Sequence, residues 1–449
     1  MTLSQIASRR RFLKAACTTA TTLGLSSFGW CGGPPPVTNP RATDGDDAHE
    51  PKWDEQFIVT VGPAKADLVG TTDRAIQAAV DTVARRGGGT VHLLPGTYTL
   101  RNAVFLPSKI RLVGSGPESV ITKIASETVE LADDSNWFDQ EITLAEAKDF
   151  RVGDGVLIRA TNPHNGSTDF IKRTLVARSG NRFKLSDGLR DNVWLSGKPT
   201  CASLFPLLTS ENTADVVIEN LTLDGNGQNN ENLNGNYAGC IFLQDCNRYR
   251  IHRVEARNYN GDGISFQVCH DVVVDECHCH DNTNLGVHPG SGSQRPLVRN
   301  SRMADNNIGL FWCWGVKYGL AEGNEMTGNR SYGISIGHCD TDNVMRKNRI
   351  SASGKVGILF RDENRGRDFW PNRNLVEENT ILDSGGEDGV AVDITGKTRD
   401  VRIVRNEIRE TRAPVGRIGI RIGENVGAVE LEDNAIEGFA AAVADRRTG

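Results

Sequence analysis

From residue 239 onward, short runs of alternating apolar and polar residues follow a series of glycines. In most runs the first and third residues after the glycine are apolar, and this period of two predicts a β-strand with one buried face. The runs begin at steps of 23 or 24 residues and are Gly239-Cys-Ile-Phe, Gly263-Ile-Ser-Phe, Gly286-Val-His-Pro, Gly309-Leu-Phe-Trp, Gly333-Ile-Ser-Ile and Gly357-Ile-Leu-Phe, with Gly389 and Gly419 continuing after longer loops. The pattern therefore predicts the stacked coils of a solenoid.

A series of asparagines repeats in phase with the glycines. Each stands two residues before an aliphatic residue or methionine, and the members are Asn324, Asn348, Asn379, Asn406 and Asn434. In parallel strands stacked in register, each amide can hydrogen-bond to the next along the axis. Coils of this length hold short strands, and the Leu-dominated consensus of a leucine-rich repeat is missing from the sequence. These features favour a parallel β-helix.

The sequence Cys277-His-Cys-His280 invites interpretation as a zinc site. Strand alternation places Cys277 and Cys279 on one face, in the asparagine and methionine columns, and sends His278 and His280 to the other. We therefore expect two buried thiols here and no zinc ion.

The region before the coils predicts an amphipathic helix followed by a glycine-rich turn and a first strand. Ile76, Ala79, Val80 and Val83 fall on one helix face, which suits a cap on the open end of a helical core. The turn and strand follow in the segment 87–98, Gly-Gly-Gly-Thr-Val-His-Leu-Leu-Pro-Gly-Thr-Tyr.

This beginning, with Leu221-Thr-Leu-Asp-Gly-Asn226, resembles the pectate-lyase-like right-handed β-helix superfamily, whose members include rhamnogalacturonase-like and epimerase-like proteins. The resemblance covers roughly residues 65–125 and 205–440. It implies an all-β, right-handed, single-stranded parallel β-helix with an N-terminal capping α-helix. It also implies that the usual ligand is an anionic polysaccharide.

The chain is predicted to divide into five parts. Residues 1–31 are a twin-arginine export signal, built on Ser8-Arg-Arg-Arg-Phe-Leu-Lys14 and a short apolar stretch, and residues 32–56 are a linker. Residues 57–125 are the N-terminal cap and first coils, residues 126–205 are a small β insertion, and residues 206–449 are the main coils. The alternative for 126–205 is a set of irregular coils of the same helix. We expect export to the periplasm or the extracellular space.

Composition narrows the function classes. The 449 residues include 48 Gly, which suits repeated tight turns, and the formal charge of −6 argues against a nucleic-acid partner. No apolar run approaches the length of about 20 residues that a transmembrane helix needs. The sequence leaves the oligomeric state open.

Unusual polar residues at outward positions of neighbouring coils are the candidate site. We predict His288 and His338 as base or acid and Arg361 as the group that neutralises a substrate carboxylate. The predicted substrate-binding residues are Gln267, Arg295, Trp314, Lys317, Tyr318, Asp340, Asp342 and Glu363. Asp340 and Asp342 are also expected to orient His338 or to hold Ca²⁺, but no metal or other cofactor is assigned.

Such a groove predicts an enzyme that acts on a uronate-containing polysaccharide by β-elimination or C5 epimerisation. Both reactions need a neutralising cation and a base for the C5 proton. The alternatives are a glycoside hydrolase or transglycosylase with paired carboxylates, and a non-catalytic polysaccharide-binding β-helix.

Overall fold

The computed structural model describes residues 55–413 and 415–447, which form a right-handed parallel β-helix. The predicted export signal, and all but the last two residues of the predicted linker, lie outside the described residues. The first coils contain β1 (Ile58–Gly62), β2 (Leu68–Val69), α1 (Asp73–Ala84), β3 (Gly89–Leu93), β4 (Gly96–Leu100), β5 (Val104–Phe105), β6 (Ile110–Gly114) and β7 (Ser119–Lys123).

A six-stranded antiparallel sheet interrupts the coils, in the order β8-β13-β10-β11-β12-β9. Its elements are β8 (Thr128–Glu130), β9 (Glu141–Thr143), β10 (Gly155–Thr161), β11 (Thr168–Ser179), β12 (Arg182–Leu185), a 3-10 turn at Leu195–Gly197 and β13 (Thr200–Ala202). It has a hydrophobic cluster of its own, which includes Phe150, Ile158 and Phe183.

The main coils follow without further insertion of a sheet. Their elements are β14 (Leu208–Glu211), β15 (Ala214–Asp224), a 3-10 turn at Gly227–Asn229, β16 (Gly239–Gln244), β17 (Asn247–Arg257), β18 (Asp262–Gln267), β19 (His270–Asp275), β20 (His278–His280), β21 (Leu285–Gly290), β22 (Leu297–Arg299), β23 (Arg302–Ala304), β24 (Ile308–Phe311), β25 (Leu320–Glu322), β26 (Glu325–Thr327), β27 (Tyr332–Ile336), β28 (Val344–Arg346), β29 (Arg349–Ser351), β30 (Val356–Phe360), β31 (Leu375–Glu377), β32 (Thr380–Leu382), β33 (Val390–Ile394), β34 (Val401–Val404), β35 (Glu407–Arg409), β36 (Ile418–Ile422), β37 (Val429–Glu432), β38 (Ala435–Glu437) and β39 (Ala441–Asp445).

The coils have three faces. Sheet 1 contains β5, β14, β16, β18, β21, β24, β27, β30, β33, β36 and β39. Sheet 2 runs through β6, β15, β17, β19, β22, β25, β28, β31, β34 and β37, and sheet 3 runs through β7, β15, β17, β20, β23, β26, β29, β32, β35 and β38. The long strands β15 and β17 belong to both sheets 2 and 3, so these two faces join there.

The glycine column at the start of the sheet 1 strands exists because the next coil leaves no room for a side chain. A Cβ on Gly286 or Gly309 would lie 2.7 Å from the carbonyl oxygen of the next glycine in the column. The register differs from the predicted series at two points. Gly239 pairs with Asp262, which leaves Cys240 beside Gly263, and Val390 pairs with Val356, which leaves Ala391 in the glycine column.

The predicted asparagine ladder is confirmed. Along sheet 3, each Asn side chain donates from Nδ2 to the Oδ1 of the next member at 2.9 Å, from Asn324 through Asn434. Each Oδ1 also accepts a backbone N–H, as Asn348 does from Asn324. A second ladder, Asn282–Asn306–Asn329, was not predicted. These side chains satisfy backbone groups at the coil corners, which would otherwise be buried without partners.

The predicted positions of the two thiols are confirmed. Cys279 is paired in register with Met303, which is paired with Met326. The backbone N–H of Cys277 donates to the hydroxyl of Ser301, whose own N–H donates to Oδ1 of Asn324 in the asparagine column. Both thiols are buried, whereas His278 and His280 are half-buried on the outer surface.

At most corners between faces, the chain turns at a single residue whose backbone has the left-handed conformation (positive φ). The corner before sheet 2 uses Asp271, Arg295, Tyr318, Asp342, Arg373 and Asp400, and that between sheets 2 and 3 uses Arg253, Glu276, Asn300, Lys347, Glu378, Arg405 and Asp433. A side chain at positive φ points away from the coil, so these residues form rows at the edges of the faces.

Helix α1 buries Ile76, Ala79, Val80 and Val83 in the same hydrophobic cluster as the first coils. Among the residues described, no helix combines the length and the apolar character that crossing a lipid bilayer requires.

Candidate functional site

The outer surface of sheet 1 contains a buried histidine–carboxylate pair. His288 on β21 places Nδ1 2.7 Å from the Oδ2 of Asp262 on β18, and Asp262 also accepts the backbone N–H of Leu285. Asp262 is fully buried and His288 is 3% exposed. Burial raises the pKa of Asp262, and the hydrogen bond and charge of His288 oppose that rise. The Nε2 atom of His288 is buried and has no hydrogen-bond partner among the described residues.

The hydrogen bond to Asp262 defines which nitrogen of the neutral His288 ring carries the proton. When the Asp262 carboxylate accepts the Nδ1 proton, the neutral ring of His288 carries its lone pair on Nε2. The buried Nε2 is then an acceptor without a donor, which is the form that a general base needs. The pair therefore has the orienting geometry that activates histidine in many enzymes.

The segment between β15 and β16 covers this pair. The Ser265 hydroxyl donates to the carbonyl oxygen of Gly235 at 2.6 Å, and Gly235 packs so closely on Asp262 that a side chain there would overlap the carboxylate. Gln267 donates to the Ser265 hydroxyl at 3.2 Å, and its Oε1 is buried without a partner among the described residues. Gln267 therefore lies in the wall beside His288.

Arg361 follows β30 and folds back along sheet 1 toward His288. Its guanidinium lies 4.2 Å from the ring centroid of Phe311, and the rings of Phe311 and His288 are in edge contact at 5.3 Å. Arg361 also donates to the Ser335 hydroxyl at 2.8 Å and to the Trp312 carbonyl oxygen at 3.0 Å. The structure thus brings the predicted cation and the predicted base into contact with the same phenylalanine.

Glu363 connects Arg361 to an exposed aromatic surface. Its carboxylate accepts Nε of Arg361 at 3.0 Å and Nε1 of Trp314 at 3.3 Å. These contacts, with the nearby Arg365, lower the pKa of Glu363 against the opposing effect of burial. The guanidinium of Arg365 lies over the Trp314 ring at 4.7 Å, and Trp314 is 39% exposed.

His338 lies in the same aromatic group. Its ring is 5.1 Å from that of Trp314 and 5.4 Å from that of Phe369, and its Nδ1 accepts the backbone N–H of Arg365 at 3.0 Å. Burial lowers the pKa of His338. Because Nδ1 is an acceptor, the neutral ring carries its proton on Nε2 and offers a hydrogen-bond donor there.

Asp340 does not orient His338 as expected. Its carboxylate accepts three backbone N–H groups, from Gly315 and Val316 at 2.9 Å and from Gly337 at 2.8 Å. The side chain is fully buried, and burial raises its pKa to about 6. Asp340 therefore fastens two adjacent turns, and its nearest cation is Arg361 at 3.7 Å.

The corner before sheet 2 holds three other predicted residues. Arg295 forms a two-point ion pair with Asp271, and Asp342 forms one with Arg373. Tyr318 is an exposed residue of the same corner row, so these contacts run along the corner and not toward His288. Asp342 is thus occupied by Arg373, and neither it nor Asp340 belongs to a three-ligand group in the described part of the chain.

Lys317 belongs to a neighbouring row of single bridges. It pairs in parallel with Gln294 on one side and Thr341 on the other. The backbone of Lys317 therefore lies in a row of stacked residues between sheet 1 and the corner before sheet 2.

Two features of this surface were not predicted. The first is the role of Asp262. The sequence contains a signal for it, because the residues at the same register position in the next two coils, Leu285 and Ile308, are apolar. The second feature is a cavity of about 360 Å³ between the antiparallel sheet and sheet 1. Lys172 lies there with its ammonium group 4.1 Å from the ring centroid of Phe242, and burial lowers its pKa to about 8.

Comparisons with known proteins agree with this architecture. Residues 239–408 match the family model described as a right handed beta helix region, in agreement with the fold of the described residues. No curated protein matches the chain.

Several solved structures share the fold. The surface adhesin PfbA of Streptococcus pneumoniae matches with a TM-score of 0.50 and 14% identity, over 83% of this chain and 95% of the adhesin. The A-module of the mannuronan C-5 epimerase AlgE6 of Azotobacter vinelandii matches with a TM-score of 0.47 and 15% identity, over 84% and 96%. The tailspike gp61 of Pseudomonas phage phi297 matches with a TM-score of 0.37 and 12% identity, over 84% and 73%. At 14% identity, the likeness to the adhesin is one of fold alone.

Proposed function

We propose that this protein is an exported enzyme that acts on a uronate-containing polysaccharide by β-elimination or C5 epimerisation. The observation that carries the proposal is the buried Asp262–His288 pair, whose Nε2 has no partner among the described residues, beside the cation of Arg361. Outward positions of successive coils lie about 4.8 Å apart, so a polymer along sheet 1 contacts several coils at once.

His288 is the base in this mechanism. Its Nε2 takes the C5 proton of a uronate unit, and Asp262 holds Nδ1–H and stabilises the imidazolium that forms. Arg361 neutralises the substrate carboxylate, which lowers the cost of the carbanion-like state at C5. Asp262 is a positioning residue, since it acts through His288. Substrate reaches this pair when the covering segment at Gly235 moves aside.

The exposed aromatic group binds the chain of sugars. Trp314 offers a stacking surface and His338 offers its Nε2–H to a sugar oxygen. His338 is also the residue we assign to protonate the opposite face or the leaving oxygen, which it does from the imidazolium form, in which Nδ1 no longer accepts the N–H of Arg365. Gln267, Lys317 and the corner residues Arg295, Tyr318 and Asp342 extend this surface as further binding positions.

A non-catalytic polysaccharide-binding role is the second candidate. The observation in its favour is that His288 is buried and Arg361 already has protein partners. Binding of a sugar to the exposed Trp314 does not require His288 to be uncovered or Arg361 to leave its protein partners.

The test uses the purified protein and a panel of uronate polymers. A rise in ultraviolet absorbance reports the unsaturated product of elimination, and exchange of the C5 proton with solvent without cleavage reports epimerisation. New reducing ends without that absorbance mean a hydrolase and overturn the proposal. Binding without any reaction across the panel supports the second candidate.

Variants of the buried pair then test the mechanism. His288→Gln is expected to lower turnover about 100-fold or more, because a general base contributes about that much. Asp262→Asn is expected to lower turnover and to change its pH profile, since it removes the group that fixes the tautomer of His288. His270→Gln on sheet 2 is the matched control and should leave turnover unchanged. Full turnover in His288→Gln would disprove the assignment.

We propose export by the twin-arginine route on the basis of residues 8–14. Replacing Arg9 and Arg10 by Lys is expected to retain the full-length protein in the cytoplasm, as measured by fractionation of the expressing cells. Unchanged export of that variant would contradict the proposal.

A further inference from the structure

A second cluster of chemically active side chains lies on the outer surface of sheet 3, on a face other than that of the proposed active site. Ligand atoms of Glu255, His278 and His280 all lie within 4.8 Å of one another. His278 and His280 alternate on β20 and so face outward together. Glu255 on β17 is paired in register with His278. A His-X-His strand and a carboxylate from the neighbouring strand thus converge on one point.

The hydrogen bonds of this cluster are incomplete. The Nε2 of His278 is buried and has no partner among the described residues. The rings of His278 and His280 stack with centroids 4.0 Å apart. In the tautomer protonated on Nδ1, His278 therefore offers an Nε2 lone pair to a ligand that the described residues do not provide.

His280 adds a second indication of a cation. Its Nδ1 is 2.6 Å from the carboxylate of Asp281, and its Nε2 is 3.0 Å from the carboxylate of Glu255. With the proton on Nδ1, Nε2 presents a lone pair on the side of the Glu255 carboxylate, so both groups are placed to bind one cation. A carboxylate on the far nitrogen of a histidine is also the usual support of a metal-bound imidazole.

The neighbouring charges allow a divalent ion. Arg257 lies 3.1 Å from Glu255, but it is also paired with Asp224 at 3.0 Å and keeps that partner when Glu255 turns to a metal. Arg302, the register neighbour of His278 on the next coil, faces Glu325 at 3.9 Å.

We propose that Glu255, His278 and His280 bind a zinc ion, with a fourth position left to water. Two imidazoles and one carboxylate are ligands that Zn²⁺ accepts in tetrahedral geometry. The buried thiols of Cys277 and Cys279 point into the core and take no part. Because Glu255 and the two histidines belong to successive coils, the ion cross-links them.

The test is a zinc titration of the full-length protein after removal of metals with a chelator. Competition with a chromophoric chelator is expected to show one saturable equivalent of zinc, and zinc is expected to raise the melting temperature because it binds the folded state. His278→Asn and Glu255→Gln are each expected to weaken zinc binding at least about tenfold and to reduce the shift in melting temperature.

Two controls separate this site from others. His252→Asn removes a histidine from the second three-ligand group, His252, Asp275 and Glu276 on sheet 2, and should leave zinc affinity unchanged. Cobalt substitution should give a visible spectrum without a thiolate charge-transfer band. The proposal is overturned if zinc does not saturate, if His252→Asn weakens binding as much as His278→Asn does, or if the thiolate band is present.

Discussion

The side chain of Lys123 is enclosed in the interior of the coils. Its ammonium group donates to Oδ1 of Asn260 at 2.7 Å and lies 4.3 Å from the ring centroid of Tyr259. Burial lowers its pKa to about 7. The folded state therefore favours the neutral amine in a pH range where the unfolded chain keeps the proton.

The stability of the protein should depend on pH through this residue. The unfolded state binds more protons between about pH 7 and the ordinary lysine pKa of about 10.4, so the contribution of Lys123 to stability rises with pH across that range and is lost as pH falls through 7. We expect the unfolding free energy of the parent, minus that of Lys123→Met, to increase from pH 7 to pH 9 in urea titrations. A difference independent of pH would refute the assigned cause.

At the scale of residues, the sequence predicts the direction of a side chain where strand alternation determines it. Counting from each glycine placed His288 and the Phe311 position on one outer face, and both lie there. It failed at turns. The carboxylate of Asp340 binds backbone N–H groups of two coils, and Arg295 and Asp342 occupy left-handed corners. Local turn conformation, which spacing does not encode, decides where such side chains point.

At the scale of elements, the asparagine ladder joins the corner of each coil to the same corner of the next coil by hydrogen bonds. Asn348 in its middle accepts the backbone N–H of Asn324 and donates to the Ala321 carbonyl oxygen and to Oδ1 of Asn379. All of these groups are buried. The final rung, Asn434, is half-buried.

Removal of an inner rung should therefore cost more than removal of the last one. Asn348→Ala removes the side-chain partner of two buried backbone groups, the N–H of Asn324 and the carbonyl oxygen of Ala321, and of Oδ1 of Asn379. We expect it to lower the unfolding free energy by about 3 kcal/mol. Asn434→Ala, the matched control, should cost about 1 kcal/mol. Urea unfolding of the two variants measures the difference. Equal losses would mean that the ladder does not depend on burial.

The strands and their register were predictable because one repeated constraint governs them. Each coil must present apolar residues inward and a glycine where the next coil's carbonyl oxygen approaches, as at Gly309. The shift at Ala391 was missed because an alanine occupies the column in that coil, while Gly389 lies two residues earlier. The antiparallel sheet lacks the repeat, so only its existence was predicted and not its strand order.

At the scale of the whole molecule, each coil contacts mainly the coils before and after it, so stability is distributed along the axis. The strands β21, β24 and β27 are largely buried, whereas β37, β38 and β39 are mostly exposed or half-buried. The free energy of local opening is lowest in segments that bury little apolar surface.

Hydrogen exchange should reveal this gradient. We expect backbone amides of β37–β39 to exchange fastest among the coil strands and those of β21–β27 to exchange slowest, as measured by mass spectrometry of peptides from the labelled protein. Uniform protection along the axis would show instead that the stack opens as one cooperative unit.

The in-register stack also makes the length of the molecule adjustable. Duplicating one winding of about two dozen residues would add one rung to the asparagine ladder and lengthen the cylinder by about 4.8 Å, the spacing of neighbouring strands. Since every added winding meets the same neighbours as the one it copies, evolution or design can change the span of the outer surface without rebuilding the interior.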